Sequence, residues 1–246
     1  MIWEKLKKHI KTLQMKKIYL FLLPLFLVSC DPADLQRAMD TLNTVTNTDI
    51  ANGLKQALNF GVDDSVKFLS RENGYYASAY KILLPEEARK VTNKLKFIPG
   101  FQNLEEELIK KLNKGAEDAA SKAGPIFFSA IKSMSFDDAM NILMGPKDAA
   151  TTYLNNKTYN GLYSEFSPII DQSLDKFNVQ EYWATAISKY NQIPFITKIN
   201  PDLKDYVAKE ALKGLFSLVA KKELGIREDV SQRSTDLLKK VFAKQD

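Results

Sequence analysis

The chain has 246 residues, 45% hydrophobic and 26% charged, with 35 Lys and Arg against 30 Asp and Glu, one Cys and one His. Its whole net charge of +5 lies in residues 1–29, where six lysines face Glu4, so the rest carries 29 basic and 29 acidic side chains. That balance argues against a nucleic-acid partner. With His9 also in the leader, the body lacks the residues for Ser-His-Asp, Cys-His or ordinary zinc chemistry, and no metal or cofactor is expected.

In chain order, the first feature is "MKKIYLFLLPLFLVSC" (15–30). Lys16 and Lys17 precede an apolar run from Ile18 to Val28, the pattern of a secretory signal. The run is about half of the ~20 residues a membrane-spanning helix needs, and Pro24 interrupts it. Residues 1–29 are read as a signal peptide, with Met15 the more natural start. Leu27-Val28-Ser29-Cys30 resembles the bacterial lipobox. The resemblance implies a diacylglycerol thioether on Cys30, cleavage between Ser29 and Cys30, and an acylated new amino terminus, palmitate being the expected chain. Lipidation also accounts for a lone cysteine in an exported chain. Asp31 follows, and the expected location is the cell envelope, at the outer membrane facing the periplasm.

Residues 30–47 read as a lipidated tether with a short helix from Asp34 to about Leu42. Residues 48–246 read as one helical domain. Thr48 is the expected N-cap of a long helix striped by Ile50, Leu54, Ala57, Leu58, Gly61, Val62, Val66 and Leu69. "SRENG" (70–74) ends it, with Gly74 suited to the turn. "YYASAYKILLP" (75–85) is expected as an extended loop crossing the surface. Pro85 at N1 with Glu86 and Glu87 opens a helix ending near "FIPG" (97–100).

A helix follows over 101–124, with Glu106–Lys110 and Glu107–Lys111 pairs, and another from Pro125. Ser135 to Asp138 resembles a capping box opening a short helix to Met144. Further helices are expected from Pro146 past Tyr153, over Tyr159–Phe177 and over Val179–Tyr190. Asn200-Pro201-Asp202 is expected to start a helix buried along Leu203, Tyr206, Val207, Ala211, Leu215, Leu218 and Val219. Thr235–Phe242 gives the last. The fold class is all-α, a single domain of about nine helices without significant sheet.

Four blocks, "LNKGAEDAA" (112–120), "FFSAIKSMSFDDAMNILMGPKDAATTYL" (127–154), "YVAKEALKGLF" (206–216) and "IREDVSQRSTDLLKKVF" (226–242), resemble the bacterial domain-of-unknown-function family 4197. The likeness covers about residues 48–243. It departs at Lys81–Pro85, where an arginine and a different apolar order are expected. The resemblance implies a helical protein of the Gram-negative envelope and brings no activity with it.

The candidate site residues each have a functional and a structural reading. Asn113 and Glu117 share a helix face; they either line a polar cleft with Asp118, Asp138 and Arg227 or make helix-to-helix and solvent contacts. Asp137-Asp138 could bind a cation or cap a helix. Arg227 and Arg233 could grip a carboxylate or phosphate, or form interhelical ion pairs. Glu105-Glu106-Glu107 points three ways and reads as solvated, and "GPKDAATT" (145–152) lacks phosphate-loop spacing. The aromatics of 75–80 and 181–190, Trp183 included, form either core or a binding surface.

Three functions remain. The leading one is a membrane-tethered, non-catalytic interaction or scaffold module with an envelope protein partner. The second is a carrier holding an apolar ligand, such as a lipid, between helices. The third is a carboxylate-dependent enzyme, which needs two acids facing each other about 5–10 Å apart.

Overall fold

The computed structural model describes residues 45–199 and 202–243. The leader, Cys30 and the expected Asp34–Leu42 helix lie outside the described residues. Nine α-helices follow in order: α1 Asn47–Ser70, α2 Glu86–Leu95, α3 Leu104–Ala120, α4 Ala123–Ser133, α5 Phe136–Leu143, α6 Ala149–Lys176, α7 Val179–Asn191, α8 Leu203–Glu228 and α9 Asp236–Phe242, with one 3₁₀ turn, Val230–Gln232, before the last. No strand occurs among the described residues. None of their helices is long and apolar enough to cross a membrane.

The two longest helices, α6 and α8, form the most extensive contact and serve as the axis. α3 packs along α6, while α1 touches α3, α4, α5, α8 and α9. α6 owes its continuity to a stripe recurring every fourth residue: Leu154, Thr158, Leu162, Phe166, Ile170 and Leu174, all buried. The sequence suggested separate helices on either side of "NNKT" (155–158), where local helix propensity is weak. Burial of that stripe overrides the propensity and gives one helix of 28 residues, about 42 Å long.

Caps shift in the same way. α1 starts from Thr46 rather than Thr48. The Thr46 hydroxyl accepts the Asp49 N–H at 3.1 Å, and the Asp49 carboxylate accepts the Thr46 N–H at 3.0 Å. α8 starts from Asp202, which accepts the N–H groups of Lys204 and Asp205 at 2.9 and 3.1 Å, rather than from Asn200. Pro85 is the cap of α2, not its first helical residue. The expected helix over 101–124 breaks at Ser121–Lys122, so Gly124 and Pro125 sit in the first turn of α4, where proline loses no helical hydrogen bond. The Ser135–Asp138 capping box forms as expected. Lys111 donates to the Phe177 carbonyl at 3.0 Å instead of pairing with Glu107.

The largest correction concerns residues 75–85. They lie at the surface, with Ala77, Ala79 and Leu83 exposed, but as a run of turns over 72–80 rather than an extended stretch, and they are anchored inward by the buried Tyr75, Ile82 and Leu84. The Tyr75 hydroxyl donates to the Ala211 carbonyl of α8 at 2.8 Å. Burial, reinforced by the charge of Glu117, pushes this phenol up, so it stays a neutral donor. The left-handed residue at the entry turn is Asn73 (φ 58°), not Gly74. Gly74 serves close approach instead, because a Cβ there would sit 2.4 Å from the Phe68 carbonyl oxygen. Backbone cannot yield as a side chain tip can. Gly74→Ala is therefore expected to cost about 1–3 kcal/mol, read as a lower urea midpoint with unchanged slope.

Candidate functional site

Two polar networks lie inside the apolar body, and Asn113, Glu117, Asp138 and Arg227 each belong to one of them or to a cap. On α3, Asn113 and Glu117 are one turn apart and face the half-buried 73–82 segment. The Asn113 side chain accepts the Ile82 N–H and donates to the Ile82 carbonyl, both at 2.8 Å, and donates to Ile109 O at 2.7 Å. It acts as a backbone substitute for a residue with no strand or helix partner. Glu117 accepts the Tyr75 N–H at 3.4 Å.

Glu117 also forms the floor of a surface cleft walled by Glu72, Asn73, Tyr76, Lys110 and Lys114. Burial raises its carboxyl above the ordinary 4.5, against the lowering effect of the Tyr76, Tyr75 and Asn73 N–H groups and of Lys114. A carboxyl raised by burial in a cleft is a feature that functional sites also show. Here the same group stitches the entry turn to α3. Asp118 is directed elsewhere, to Lys114 at 2.7 Å and to the Ser173 hydroxyl at 2.9 Å.

The second network is built on α8. Glu223 and Arg227, four residues apart, form an ion pair with side chains only 6% and 5% exposed. Arg227 donates through Nε and Nη2 to Glu223 Oε1 at 3.0 and 2.8 Å. Its Nη1 and Nη2 also donate to the Leu143 and Ile142 carbonyls at 3.2 and 2.8 Å. Glu223 accepts the Ala150 N–H at 2.9 Å, and the Thr151 N–H and hydroxyl at 2.8 Å each. The carboxylate thus meets the positive start of α6 and the guanidinium the negative end of α5.

Arg233 closes α8 itself, donating to Ile226 and Arg227 carbonyls at 3.0 and 2.9 Å. Its guanidinium lies 5.9 Å from the Phe242 ring centre of α9.

Asp138 joins neither network. It completes its own capping box, accepting the Ser135 N–H and hydroxyl at 3.0 and 2.8 Å. Those bonds, backbone first, hold its carboxyl below the usual range. The expected common cleft of Asn113, Glu117, Asp138 and Arg227 is therefore not assembled: the first two clamp an irregular segment, the third caps α5, and the fourth pairs on α8. Sequence reasoning missed Glu223. The signal was present, since Glu223 and Arg227 continue the apolar stripe of Leu212, Leu215, Val219 and Ile226, where exposed charges do not belong.

The clustered aromatics are largely core: Tyr75, Trp183 and Tyr190 are buried. Glu105 and Glu106 accept from different partners, the Thr92 and Tyr76 hydroxyls. Among the described residues no three His, Cys, Asp or Glu side chains converge on a metal position, and no buried side-chain nitrogen or oxygen lacks a hydrogen-bond partner.

Residues 44–243 match the family model described as protein of unknown function, DUF4197. The chain belongs to that family. No curated protein and no solved structure matches it. The DUF4197 match begins just before the α1 cap and ends just after α9, so it spans both networks.

Two outcomes follow. Arg227→Met leaves the Glu223 charge buried without its partner and is expected to cost about 3–5 kcal/mol in urea unfolding. Adding Glu223→Gln should restore part of that loss, because no buried charge remains. For Glu117, the folded state binds its proton more tightly than the unfolded chain, so its contribution is best at low pH. It declines as pH rises from 4.5 through the raised folded value,. Relative to Glu117→Gln, the wild type should therefore lose stability across that window, measured by urea melts at acid and neutral pH.

Proposed function

We propose that the chain is a bacterial envelope lipoprotein, anchored through Cys30, whose helical body is a non-catalytic interaction or scaffold module. The observation that carries the reading is Leu27-Val28-Ser29-Cys30 at the end of a short apolar run behind two lysines. The location it implies is the outer membrane facing the periplasm. Two or three acyl chains hold a protein firmly where one does not.

The body supports the second half of the reading through how its polar groups are used. Asn113, Glu117, Glu223, Arg227 and Arg233 are each committed to backbone groups or to one another. Their joint effect is a rigid, satisfied interior. The larger hollow between α1 and α4, about 640 Å³ and lined by Phe60, Phe128 and Ile131, is an open surface groove, and the cavity within the body lined by Leu54, Leu58, Val219, Ile226 and Phe242 holds only about 20 Å³. That is room for a water molecule, and it favours a scaffold over a carrier with an apolar ligand between its helices.

Intact mass of the membrane-extracted protein tests the anchor. The expected mass begins at Cys30 with acyl chains attached, and Cys30→Ala loses the lipid and keeps the leader. An unmodified Cys30 in the wild type overturns the proposal.

A further inference from the structure

We infer that the α2–α7 pair is a second membrane contact, which lies along an anionic bilayer surface and inserts an aromatic tip at each end. The inference rests on the lipid-anchored reading to bring the body to a bilayer; the observations that shape it are independent of Cys30. α2 and α7 pack chiefly on each other, with lesser contacts to α3 and α6. They run antiparallel. At one end, the Tyr182 hydroxyl donates to the Gly100 carbonyl at 3.1 Å and its ring stacks on Phe101. The loop after α2 therefore lies beside the start of α7, and the loop after α7 lies at the opposite end.

Each loop exposes a phenylalanine. In "KLKFIPGF" (94–101) Phe97 is 81% exposed and Ile98 39%. In "QIPFITK" (192–198) Phe195 is fully exposed and sits at φ 62°, the left-handed region that side-chain-bearing residues avoid,. An isolated exposed apolar residue needs no explanation. An aromatic held fully in water on a disfavoured backbone does, because both features oppose the folded state. The loop is not loose, since the Asn191 side chain bonds the Ile199 N–H and carbonyl, each at 3.2 Å.

Charge selects the occupant. Neither loop holds an acid. Over 86–101 and 179–199 there are six basic residues against three acidic, although the chain after residue 29 is balanced. Lys94 and Lys96 flank the first tip, the Lys96 ammonium lying 5.1 Å from the Phe97 ring centre, and Lys198 flanks the second. Rings sink to the headgroup boundary while lysine stems reach up to phosphate. The tips are separated by the length of α7, about 20 Å at the helical rise. A flat bilayer meets both when the pair lies along it with the two rings on the bilayer side, an orientation that quenching at both tips reads. The roughly fifteen residues between Cys30 and Val45 reach at most about 50 Å, so an anchored body never leaves the surface's vicinity.

The test uses the full chain extracted from membranes and reconstituted in phosphatidylethanolamine–phosphatidylglycerol vesicles, with or without bromine on the acyl chains. Phe97→Trp and Phe195→Trp report the tips. Phe60→Trp, on an exposed part of α1, is the control, and wild-type emission is subtracted. Bromine should remove most of the added emission at 97 and 195 and little at 60, and replacing phosphatidylglycerol by phosphatidylcholine should weaken the effect.

Undiminished emission at both tips, in protein whose mass shows a lipidated Cys30, overturns this inference and leaves the anchor standing. If Cys30 is unmodified, the anchor reading fails, and quenching of the same variants by added vesicles still decides this one. Unquenched tips that photo-crosslink through residue 195 to an envelope protein assign the face to a protein partner, which also overturns it.

Discussion

Glu223 and Arg227 are two full charges removed from water, and the helices around them are arranged to make that tolerable. Desolvating such a pair costs several kcal/mol per ion, and mutual attraction alone seldom offsets it. Here the remaining lone pairs and protons are spent on helix ends. Glu223 takes N–H groups at the start of α6, and Arg227 donates to the last carbonyls of α5. One i,i+4 pair on α8 thereby fixes where α5 stops, where α6 starts, and how α8 passes both. The turn between them, residues 144–148, needs no cap of its own. Once α6 is set, α3 packs along it, with Leu174 close against Gly115, and Arg233 with Phe242 brings α9 over the end of α8.

The α3 clamp solves a different problem with similar means. Residues 73–82 lie half-buried without regular structure, so the N–H and carbonyl groups at their buried points need partners that no ladder supplies,. Asn113 supplies a donor and an acceptor to Ile82, Glu117 accepts from Tyr75, and Ala211 accepts from the Tyr75 phenol. Together with the α8 network, these contacts account for side chains that resemble a catalytic assortment of Asn, Glu and Arg. Their partners are chiefly backbone atoms, with Glu223 also bonded to Arg227 and to the Thr151 hydroxyl.

The sequence made the regular parts of this body readable and the irregular parts much less so. The stripe of α1 and the Ser135–Asp138 box depend on residues within a turn of each other, and such signals survive intact. The break expected near Asn155 failed because propensity is a local quantity, while burial of Leu154 and Thr158 against neighbouring helices is not. The segment 75–85 failed for a related reason. Its aromatics and proline look like loop chemistry, and only the position of Asn113, some thirty residues away, shows that its polar groups have partners inside. Arg227 was recognised as either a ligand grip or an ion pair, but its partner was not, although a glutamate on an apolar stripe one turn earlier is a legible sign of a buried pair.

Rigidity and exposure are divided between different parts of the molecule. The α5–α6–α8 junction carries the buried charges, whose loss cannot be absorbed locally, so it tolerates little change. The α2–α7 pair carries exposed aromatics, an excess of lysine and arginine, and its principal contacts within itself. Surface chemistry there can vary without disturbing the junction, since few contacts couple distant sites of this kind. Within the interior, Asn113, Glu223, Arg227 and Arg233 bond to backbone groups or to one another, while Glu117 also borders the surface cleft beside Lys114.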